Sequence, residues 1–437
     1  MTGSARPLAL ETLRGLASGR VSLGELLARP DAEALDERER RFLHELVLGT
    51  LRRRGWLDHV LSSLSSRPLD RLTPGVLDAL RLGAYQLLYL RVAPHAAVGE
   101  TVELARGVEP RSAGFANAVL RRLQREGPPA EPDAAADPVG WLTTAGSLPG
   151  WLADRWCASL GPARAVARAR ACLAAPPSHV RLNPRVPDAL ARVEAAGVEV
   201  RTTCVPGALE AGGGRLVDLA RGGVLYVQDA GSQLVGLLAA ARGVVLDACA
   251  APGGKALLIA DAGGDGTRVI AAEASRRRVR ALARLRSLWG APNVSVVVAD
   301  ALRPPFARPF DSVLLDAPCS GLGTLGRNPD IRWRLGPDDV ARQAERQRRM
   351  LESVAALVRP GGRLVYATCS LEPEETEGVV GPFLERQGAF ESEEAPSWAG
   401  PFLHGPFVRI EGGEGGDSFF AARLRRHGGA APEDVVI

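Results

Sequence analysis

Two cysteines stand where short apolar stretches of the chain end, and each stretch is typical of a buried β-strand. Cys369 lies in Val-Tyr-Ala-Thr-Cys-Ser at 365–370, and Cys319 lies in Asp-Ala-Pro-Cys-Ser at 316–320. Ligands of open α/β sheets bind outside the carboxyl ends of parallel strands, so both thiols are expected at one edge of a sheet. A lone cysteine is usually inert and buried. Two thiols at one edge, beside an aspartate, instead indicate covalent chemistry.

A glycine turn follows another apolar stretch, at 244–248, and opens a helix. Its residues are Cys249, Ala250, Ala251, Pro252, Gly253, Gly254 and Lys255. The turn is not a Walker loop, which has glycine where Cys249 stands and a hydroxyl side chain where Ala256 stands. It also differs from the Gly-x-Gly-x-x-Gly sequence of dinucleotide-binding folds. Glycine lets a backbone approach a ligand closely, so this turn is expected to bind a cofactor.

Acidic residues end the next strands of the same predicted sheet. Glu273 ends the second strand, where an acid accepts hydrogen bonds from ribose hydroxyls. Asp300 ends the third strand and Asp316 ends the fourth. Any one of these acids could be an ordinary loop carboxylate. Together with the glycine turn they predict a cofactor that carries adenosine without a pyrophosphate, and S-adenosylmethionine is such a cofactor.

Lys255 is the only lysine among 54 basic residues, the others being arginines. Base composition of the gene explains an arginine bias without any function. Base composition does not explain why one lysine remains. The remaining lysine indicates a site that requires a compact ammonium on a flexible stem rather than a planar guanidinium. That site is the glycine turn, and we expect Lys255 to stabilise a thiolate nearby.

Length and composition place these residues in a multidomain globular protein. The chain has 437 residues and 46% hydrophobic residues, enough for several cores. It contains no run of eighteen or more apolar residues and no charged-then-apolar start, so a cytoplasmic protein without membrane contact is expected. Its six cysteines include no Cys-x-x-Cys pair. This argues against a zinc site or a disulfide framework, and no metal is predicted.

Changes of pattern along the chain predict its domains. Residues 1–126 have helical periodicity throughout, as in Arg38 to Leu61, and Thr73-Pro74 has the sequence of a helix start. The Pro- and Ala-rich residues 127–140 are predicted to be a linker. Residues 141–240 predict a small α+β unit and residues 241–426 alternate strands with helices, which is typical of a parallel sheet. The strand at 418–424 is expected to be antiparallel, and residues 427–437 form a tail.

Four motifs resemble those of the RNA cytosine-5 methyltransferases of the Nol1/Nop2/Sun family. They are the glycine turn, the Asp-Ala-Pro-Cys-Ser loop, the Ala-Thr-Cys-Ser loop and Gly-Asp-Ser-Phe-Phe at 416–420, in the order and spacing of the family. The helical residues 84–89, 94–102 and 117–122 resemble the NusB-like RNA-binding domain found in bacterial members. One departure is Thr376, where the family pattern has asparagine after two glutamates.

The resemblance implies a fold and a reaction. The fold is a multidomain one: an all-α NusB-like domain, a small α+β unit like an RRM, and an α/β Rossmann-like methyltransferase domain. The reaction is methylation of a cytosine in small-subunit (16S) rRNA with S-adenosylmethionine. Cys369 is implied as the nucleophile and Cys319 as the residue that releases the product. A monomer is the default expectation.

Further roles are predicted from the chemistry that this reaction needs. A thiolate suits addition to carbon 6 of cytosine. Asp316 is then expected to hydrogen-bond the cytosine amine or ring nitrogen 3. Basic and aromatic residues are predicted to contact RNA, although the tryptophan among them is equally typical of a core: Arg181, Arg327, Arg332, Trp333 and Arg334.

Other functions remain open at the level of sequence. A cysteine hydrolase requires a histidine, and residues 240–400 contain none. A dithiol oxidoreductase is compatible with the two thiols but leaves the glycine turn and the acids unexplained. A non-catalytic NusB-like RNA-binding factor needs neither the thiols nor Lys255. Transfer RNA is the alternative substrate for the same chemistry.

Overall fold

The structure is a computed structural model that describes residues 4–17, 23–412 and 416–434. The chain divides into a first unit, Met1–Ala175 with Leu325–Gly336, and a second unit, Pro176–Thr324 with Pro337–Ile437. Parts of three predicted domains lie outside the described residues, namely 1–3 and 18–22 of the helical domain, 413–415 of the catalytic domain and 435–437 of the tail.

The first unit is helical, as the periodicity predicts. Its helices are α1 (Ala5–Ala17), α2 (Leu23–Leu27), α3 (Pro30–Glu33), α4 (Glu37–Arg52), α5 (Arg54–Leu64), α6 (Pro74–Tyr89), α7 (Pro94–Val108), α8 (Ala113–Glu126), α9 (Pro138–Thr143), α10 (Gly150–Leu160) and α11 (Pro162–Ala171). Asp36 caps α4 by accepting from the Glu39 N–H at 2.8 Å. Pro74 begins α6, but Thr73 makes no side-chain cap and donates instead to Glu109.

The predicted linker contains no helix or strand between 127 and 137, and α9 begins at its Pro138. The sequence pattern groups the helices α9 to α11 with the small α+β unit, yet they lie in the first unit. The reason is their buried apolar side chains, among them Trp141 and Trp156, which pack with helices rather than with a sheet. The predicted boundaries themselves stay predictions.

The second unit begins with a small α+β unit. Its elements are β1 (Ser178–Leu182), α12 (Ala189–Ala195), β2 (Glu199–Thr202), β3 (Leu209–Gly212), α13 (Leu216–Arg221) and β4 (Leu225–Val227). The strands pair antiparallel in the order β2-β3-β1-β4. This is the βαββαβ arrangement of ferredoxin-like folds. An RNA-binding role for it stays a prediction.

A larger sheet follows, and it places the predicted site residues at strand ends. Its elements are α14 (Ala230–Ala239), β5 (Gly243–Asp247), α15 (Gly254–Gly263), β6 (Thr267–Glu273), α16 (Arg276–Trp289), β7 (Val294–Val298), β8 (Phe310–Asp316), α17 (Ile331–Arg334), α18 (Pro337–Ala355), β9 (Val358–Thr368), α19 (Glu377–Arg386), β10 (Phe390–Ser392), β11 (Leu403–His404), β12 (Phe407–Ile410) and β13 (Phe419–Arg426). Of these, only α17 belongs to the first unit.

The strand order is β11-β12-β13-β9-β8-β5-β6-β7, with β10 beside β13. Strands β5 to β9 pair in parallel, and β13 is antiparallel to β9, as the sequence predicts. The order reverses at β5, which has β6 on one side and β8 on the other. Such a reversal opens a crevice at the carboxyl edge, and ligands of open α/β sheets bind there.

Both faces of this sheet are buried, which explains why its strands are apolar runs. Along β9, Val365 and Ala367 pack in one core cluster with residues of α14 and α15, while Leu364 and Tyr366 pack in another with residues of α18 and α19. The Rossmann-like methyltransferase fold expected for this region is therefore confirmed.

The tail packs on the second unit. Asp434 lies 2.9 Å from Arg363 Nη2 and 2.6 Å from Arg423 Nη2, two guanidinium groups that are almost fully buried. Residues Ala241 and Asp434 also form an isolated β-bridge. In the described ranges, no helix combines the length and apolarity needed to cross a membrane.

Candidate active site

Three of the five parallel strands of the central sheet, β6, β8 and β9, end in, or directly before, a predicted site residue, and β5 ends in a further acid. Asp247 ends β5, Glu273 ends β6, Asp316 ends β8 and Cys369 follows β9. Because all these strands run the same way, their carboxyl ends bring these side chains to one edge of the sheet. Asp300 is two residues beyond the end of β7, at the same edge.

The thiols of Cys319 and Cys369 meet at that edge, with 3.0 Å between the two sulfur atoms. Either sulfur can be the donor of the hydrogen bond. That hydrogen bond raises the pKa of Cys319 well above the usual value, and burial and the charges of Cys369 and Glu375 raise it further. Cys319 therefore remains protonated and can donate this hydrogen bond to Cys369.

Lys255 lies beside this pair and forms an ion pair with Asp316, with 2.8 Å between Nζ and Oδ2. Burial alone would lower the pKa of Lys255, but Asp316, Asp247 and Cys369 raise it. The ammonium also stands 5.6 Å from the centre of the Phe419 ring. The lone lysine thus remains charged between the acids and the thiol, and its predicted stabilisation of a thiolate stays a prediction.

Packing against neighbouring side chains determines the shape of the glycine turn. Gly253 has a φ of +123°, and a Cβ added there would lie 2.4 Å from Leu282 Cδ1. A Cβ on Gly254 would lie 2.6 Å from the Tyr226 ring. Packing within the protein therefore already requires both glycines. The turn still directs the N-terminus of α15 to the sheet edge, where its free N–H groups face any ligand.

Asp247 is a buried carboxylate that the sequence analysis does not single out. In the part of the chain that the structure describes, neither of its oxygens has a well-formed hydrogen bond. Burial raises its pKa to about 7, and the charge of Asp316 contributes, although Lys255 opposes the rise. Buried carboxylates normally have partners. An orphan at the cofactor edge fits a cationic ligand such as S-adenosylmethionine.

The other acids of the predicted cofactor site differ in exposure. Glu273 is 5% exposed, accepts from the Ser275 N–H at 2.9 Å and lies 3.1 Å from Arg278 Nη1. Asp300 is exposed and accepts from the Leu302 N–H at 3.0 Å. Both carboxylates are held at the edge by local donors, so their direction is fixed without a ligand.

Cys249, Ala250, Ala251 and Pro252 line the turn rather than react. Burial raises the pKa of Cys249 above its usual value, and the nearby acids add to the rise, so this thiol stays protonated. The Ala250 N–H donates to the Ala272 carbonyl at 2.8 Å, and Arg278 donates to the Ala251 carbonyl at 2.7 Å. These bonds tie the turn to β6 and α16.

Arg181 does not lie where an RNA contact requires it, so that prediction is wrong. It is 4% exposed and donates to Asp261 Oδ2 at 2.6 Å and to the Gly254 carbonyl at 3.1 Å. Its guanidinium also stacks over Trp289 at 4.4 Å. Arg181 instead fixes the glycine turn from the neighbouring α+β unit.

One further predicted RNA contact is also wrong, within the first unit. Arg332 is fully buried and donates to the carbonyls of Ser147, Cys172 and Leu325 at 3.1–3.2 Å. The Trp333 indole N–H donates to the Leu51 carbonyl at 2.8 Å and the side chain is half-buried, so a contact of its ring with RNA stays a prediction. Arg334 is exposed and pairs with Asp330. Arg327 as an RNA contact stays a prediction.

Sequence reasoning misses a group of buried polar residues beneath Cys319. Glu375, Gln347 and Tyr366 are each 0% exposed, and Glu375 accepts from the Ser320 backbone N–H at 2.7 Å. The only signal in the sequence is the Glu-Glu pair before Thr376. Thr376 itself is buried and donates to the Glu372 carbonyl at 3.1 Å, so a hydroxyl supports the loop after Cys369 where the family pattern has asparagine.

Two family models match the chain. The model of the 16S rRNA methyltransferase RsmB/F family matches residues 236–425, and that of the NusB family matches residues 3–125. The first match includes the glycine turn and both thiol loops. The second covers the helices at the start of the chain.

Individual relatives align along almost the whole chain. A ribosomal RNA small subunit methyltransferase B of Sodalis glossinidius is 35% identical, covering 92% of this chain and 93% of its own. One from Salmonella arizonae is 32% identical, covering 96% and 98%. The crystal structure of PH0851 superposes with a TM-score of 0.79 at 25% identity, over 98% of this chain and all of the other. Both halves are therefore shared with these relatives in one chain.

Proposed function

The chain belongs to the RsmB/F family and is an S-adenosylmethionine-dependent rRNA methyltransferase, and from this premise we propose that it methylates carbon 5 of one cytosine in small-subunit rRNA through a covalent adduct. The observation that carries the proposal is the pair of thiols, Cys319 and Cys369, 3.0 Å apart at the carboxyl edge. Methylation of an oxygen or a nitrogen needs no such pair.

Cys369 is the nucleophile in this proposal. Carbon 5 of cytosine is a poor nucleophile until a thiolate adds to carbon 6, which forms a carbon–sulfur bond and makes carbon 5 enamine-like. A free thiol of pKa ~8.5 is only a few per cent ionised at neutral pH. The charge of Lys255 and a hydrogen bond from the Cys319 thiol both favour the thiolate of Cys369.

Asp316 and Lys255 then stabilise the charge that develops on the ring. Asp316 is held by Lys255 at 2.8 Å, yet a quarter of its side chain remains exposed to receive a base. In that position its carboxylate accepts a hydrogen bond from the cytosine amine. The base must leave any RNA duplex to reach a thiol at a sheet edge.

The residues of the turn and the strand-end acids hold the cofactor. When bound, S-adenosylmethionine supplies the electrophilic methyl group that carbon 5 takes. Glu273 would accept from its ribose hydroxyls, and Asp247 would provide a negative charge, since neither of its oxygens has a hydrogen-bond partner among the described residues. Asp300 and the N–H groups that open α15 would complete the site.

Cys319 releases the product. After methyl transfer, carbon 5 still bears a proton, and the carbon–sulfur bond breaks only once that proton has left. Formation of the thioether removes the negative charge and the hydrogen-bond acceptor that raise the pKa of Cys319. Cys319 can then lose its own proton to solvent water and, as a thiolate, accept the proton on carbon 5. The electron pair of that carbon–hydrogen bond restores the ring double bond, the carbon–sulfur bond breaks, and Cys369 leaves as a thiolate.

The test compares three single variants with the wild type, each incubated with labelled S-adenosylmethionine and rRNA from a strain that lacks this gene. Cys369→Ala should give neither methylation nor adduct. Cys319→Ala should accumulate a protein–RNA adduct that resists denaturing electrophoresis, because release fails. Cys204→Ala, which removes an exposed thiol, is the matched control and should behave as the wild type.

Bisulfite sequencing of the product identifies the base. One new 5-methylcytosine in small-subunit rRNA, absent with Cys369→Ala, is the expected result. Label in transfer RNA alone would overturn the substrate and keep the chemistry. Normal turnover by Cys319→Ala would overturn the division of roles between the thiols. A monomeric state and a cytoplasmic location stay predictions.

A further inference from the structure

Glu375 is a carboxylate that is completely buried near the thiols and that the proposed reaction does not use. Among the described residues it forms no ion pair, so neutral donors alone stabilise its charge. Burial of a charge is costly unless hydrogen bonds compensate it. A buried carboxylate of this kind therefore has a structural reason to be there, and its partners identify that reason.

Glu375 and its hydrogen-bond partner Gln347 contact the residues that precede and follow Cys319 in the sequence. Ser320 donates to the carboxylate through its backbone N–H, 2.7 Å from Oε1, and through its hydroxyl. Gln347, in α18, donates to Glu375 Oε1 at 3.0 Å and to the Pro318 carbonyl at 3.0 Å. Glu375 thus fixes the residue after Cys319 directly, and it fixes the residue before Cys319 only through Gln347.

Glu375 is itself fixed by the central sheet. Tyr366, in β9, donates to the Glu375 backbone carbonyl at 2.7 Å. The loop of Cys369 depends on other contacts, because Ser370 accepts from the Glu372 N–H at 3.2 Å and Thr376 donates to the Glu372 carbonyl. The hydrogen bonds of the Glu375 carboxylate therefore support the Cys319 loop directly, and they reach the Cys369 loop only through the Ser320 hydroxyl, which lies 3.3 Å from the Ser370 hydroxyl.

The geometry points to Glu375 as a positioning residue for the release step, which holds Ser320, and with it the adjacent Cys319 thiol, where that thiol reaches the proton on carbon 5. The inference rests on the proposed function. Cys319 must reach that proton while Cys369 is bonded to carbon 6 of the same ring, so its place is narrowly defined. A displacement of about 1 Å can slow such a step on the order of 10²-fold.

Two conservative substitutions of Glu375 separate the effect of its side-chain length from the effect of its charge. Glu375→Asp keeps the charge but shortens the side chain by one methylene, so it cannot contact Ser320 and Gln347 together. Glu375→Gln removes the charge but keeps the length, and its amide can bond the same partners because the Ser320 hydroxyl can also accept. If position matters, release should fail in the first variant and persist in the second.

The experiment uses the full chain with small-subunit rRNA and S-adenosylmethionine, and it measures adduct formation and adduct decay separately. Glu375→Asp should form the adduct at nearly the wild-type rate and release it about 10- to 100-fold more slowly. Glu375→Gln should release it within a few-fold of the wild type. Glu374→Gln, a change at the exposed neighbour, is the matched control.

A merely structural role would lower adduct formation and release together. Release by Glu375→Asp at the wild-type rate, or slower release by Glu375→Gln than by Glu375→Asp, would overturn the inference. If Glu375→Asp does not fold, Ser320→Ala is measured in its place. This variant removes one hydrogen bond to the Glu375 carboxylate and should slow release of the adduct. Unchanged release would overturn the inference. Cys319→Ala is run in parallel, and its failure to accumulate adduct would overturn the proposed function instead.

Discussion

At the scale of single residues, Lys255 shows why one ammonium stands in a chain of arginines. It occupies a space between Asp316, at 2.8 Å, and the ring of Phe419, with only 12% of its side chain exposed. A guanidinium there would bury five N–H donors in a fixed planar arrangement, most of them without acceptors. An ammonium adapts its three donors to the acids and the thiol. This position therefore requires lysine, although the base composition of the gene favours arginine.

We expect the affinity for the cofactor to depend on pH through Asp247. Its pKa of about 7 in the free protein means that much of it is protonated at neutral pH. A cationic cofactor favours the carboxylate, so binding should release a proton. The affinity for S-adenosylmethionine should accordingly rise with pH between about 6 and 8, by at most about tenfold per pH unit, and level off above that range. Calorimetry in buffers of different ionisation enthalpy measures both effects.

Asp247→Asn should abolish this pH dependence and weaken binding at pH ~8, because the amide carries no charge that titrates. Asp265→Asn, which changes an exposed carboxylate after α15, serves as the comparison and should keep the wild-type profile. Proton release that persists unchanged in Asp247→Asn would show that another group titrates.

At the scale of elements, the strand ends are predictable from sequence and their buried supports are not. The apolar runs at 244–248, 268–272, 311–315 and 363–368 match β5, β6, β8 and β9, because strands buried on both faces are continuously apolar. The chemistry of Cys369, Lys255 and the acids follows from their places at the ends of such runs. Parallel pairing then brings them together without further information.

The supports escape prediction because they join residues far apart in sequence. Glu375 meets Ser320 across 55 residues, and Arg181 meets Gly254 across 73. No periodicity reports such pairs, and a charged side chain in a sequence is usually solvated. For that reason the sequence predicts that Arg181 and Arg332 contact RNA. Both side chains are instead buried and donate to backbone carbonyls.

Arg181 and Arg185 provide a matched test of burial, because both pair with Asp261. The side chain of Arg181 is 5% exposed and that of Arg185 is 29% exposed. Arg181→Met leaves a buried carboxylate with a weakened partner set and should lower the free energy of unfolding by about 3–5 kcal/mol. Arg185→Met should lower it by about 0–1 kcal/mol. Urea denaturation of both variants gives the difference, and equal losses would contradict the role assigned to Arg181.

At the scale of the whole molecule, the two compact units are interleaved along the chain. The first unit consists of Met1–Ala175 and Leu325–Gly336, so its second stretch begins five residues after Ser320 in the sequence. Arg52 donates to the Gly326 carbonyl at 2.8 Å, and the guanidinium of Arg54 lies 4.9 Å from the centre of the Trp333 ring. The helical unit is therefore completed by residues that follow the Cys319 loop, and a fragment of the chain that ends at Ala175 would lack them.

Substitution of Arg332 measures how much the stretch Leu325–Gly336 contributes to the stability of the first unit. Burial lowers its pKa to about 10, with Arg52 and Arg53 adding to the effect, and its partners are backbone carbonyls of the same unit. Arg332→Met leaves these carbonyls without donors, and each orphan costs about 1–3 kcal/mol. Thermal unfolding of the full chain should therefore occur at a clearly lower temperature for Arg332→Met.

Arg334→Met is the comparison for that measurement, because Arg334 is exposed and pairs with the buried Asp330, which precedes the same short helix, α17. Its loss breaks one ion pair rather than three buried hydrogen bonds to carbonyls, so it should lower the unfolding temperature less. Since the two changes lie two residues apart in one helix, any general effect of methionine on α17 appears in both. An unfolding temperature that falls equally in both variants would mean that the buried carbonyl contacts of Arg332 do not hold Leu325–Gly336 in the first unit. A fall confined to Arg332→Met would mean that they do, and that the stability of the helical unit depends on residues encoded within the catalytic half of the chain.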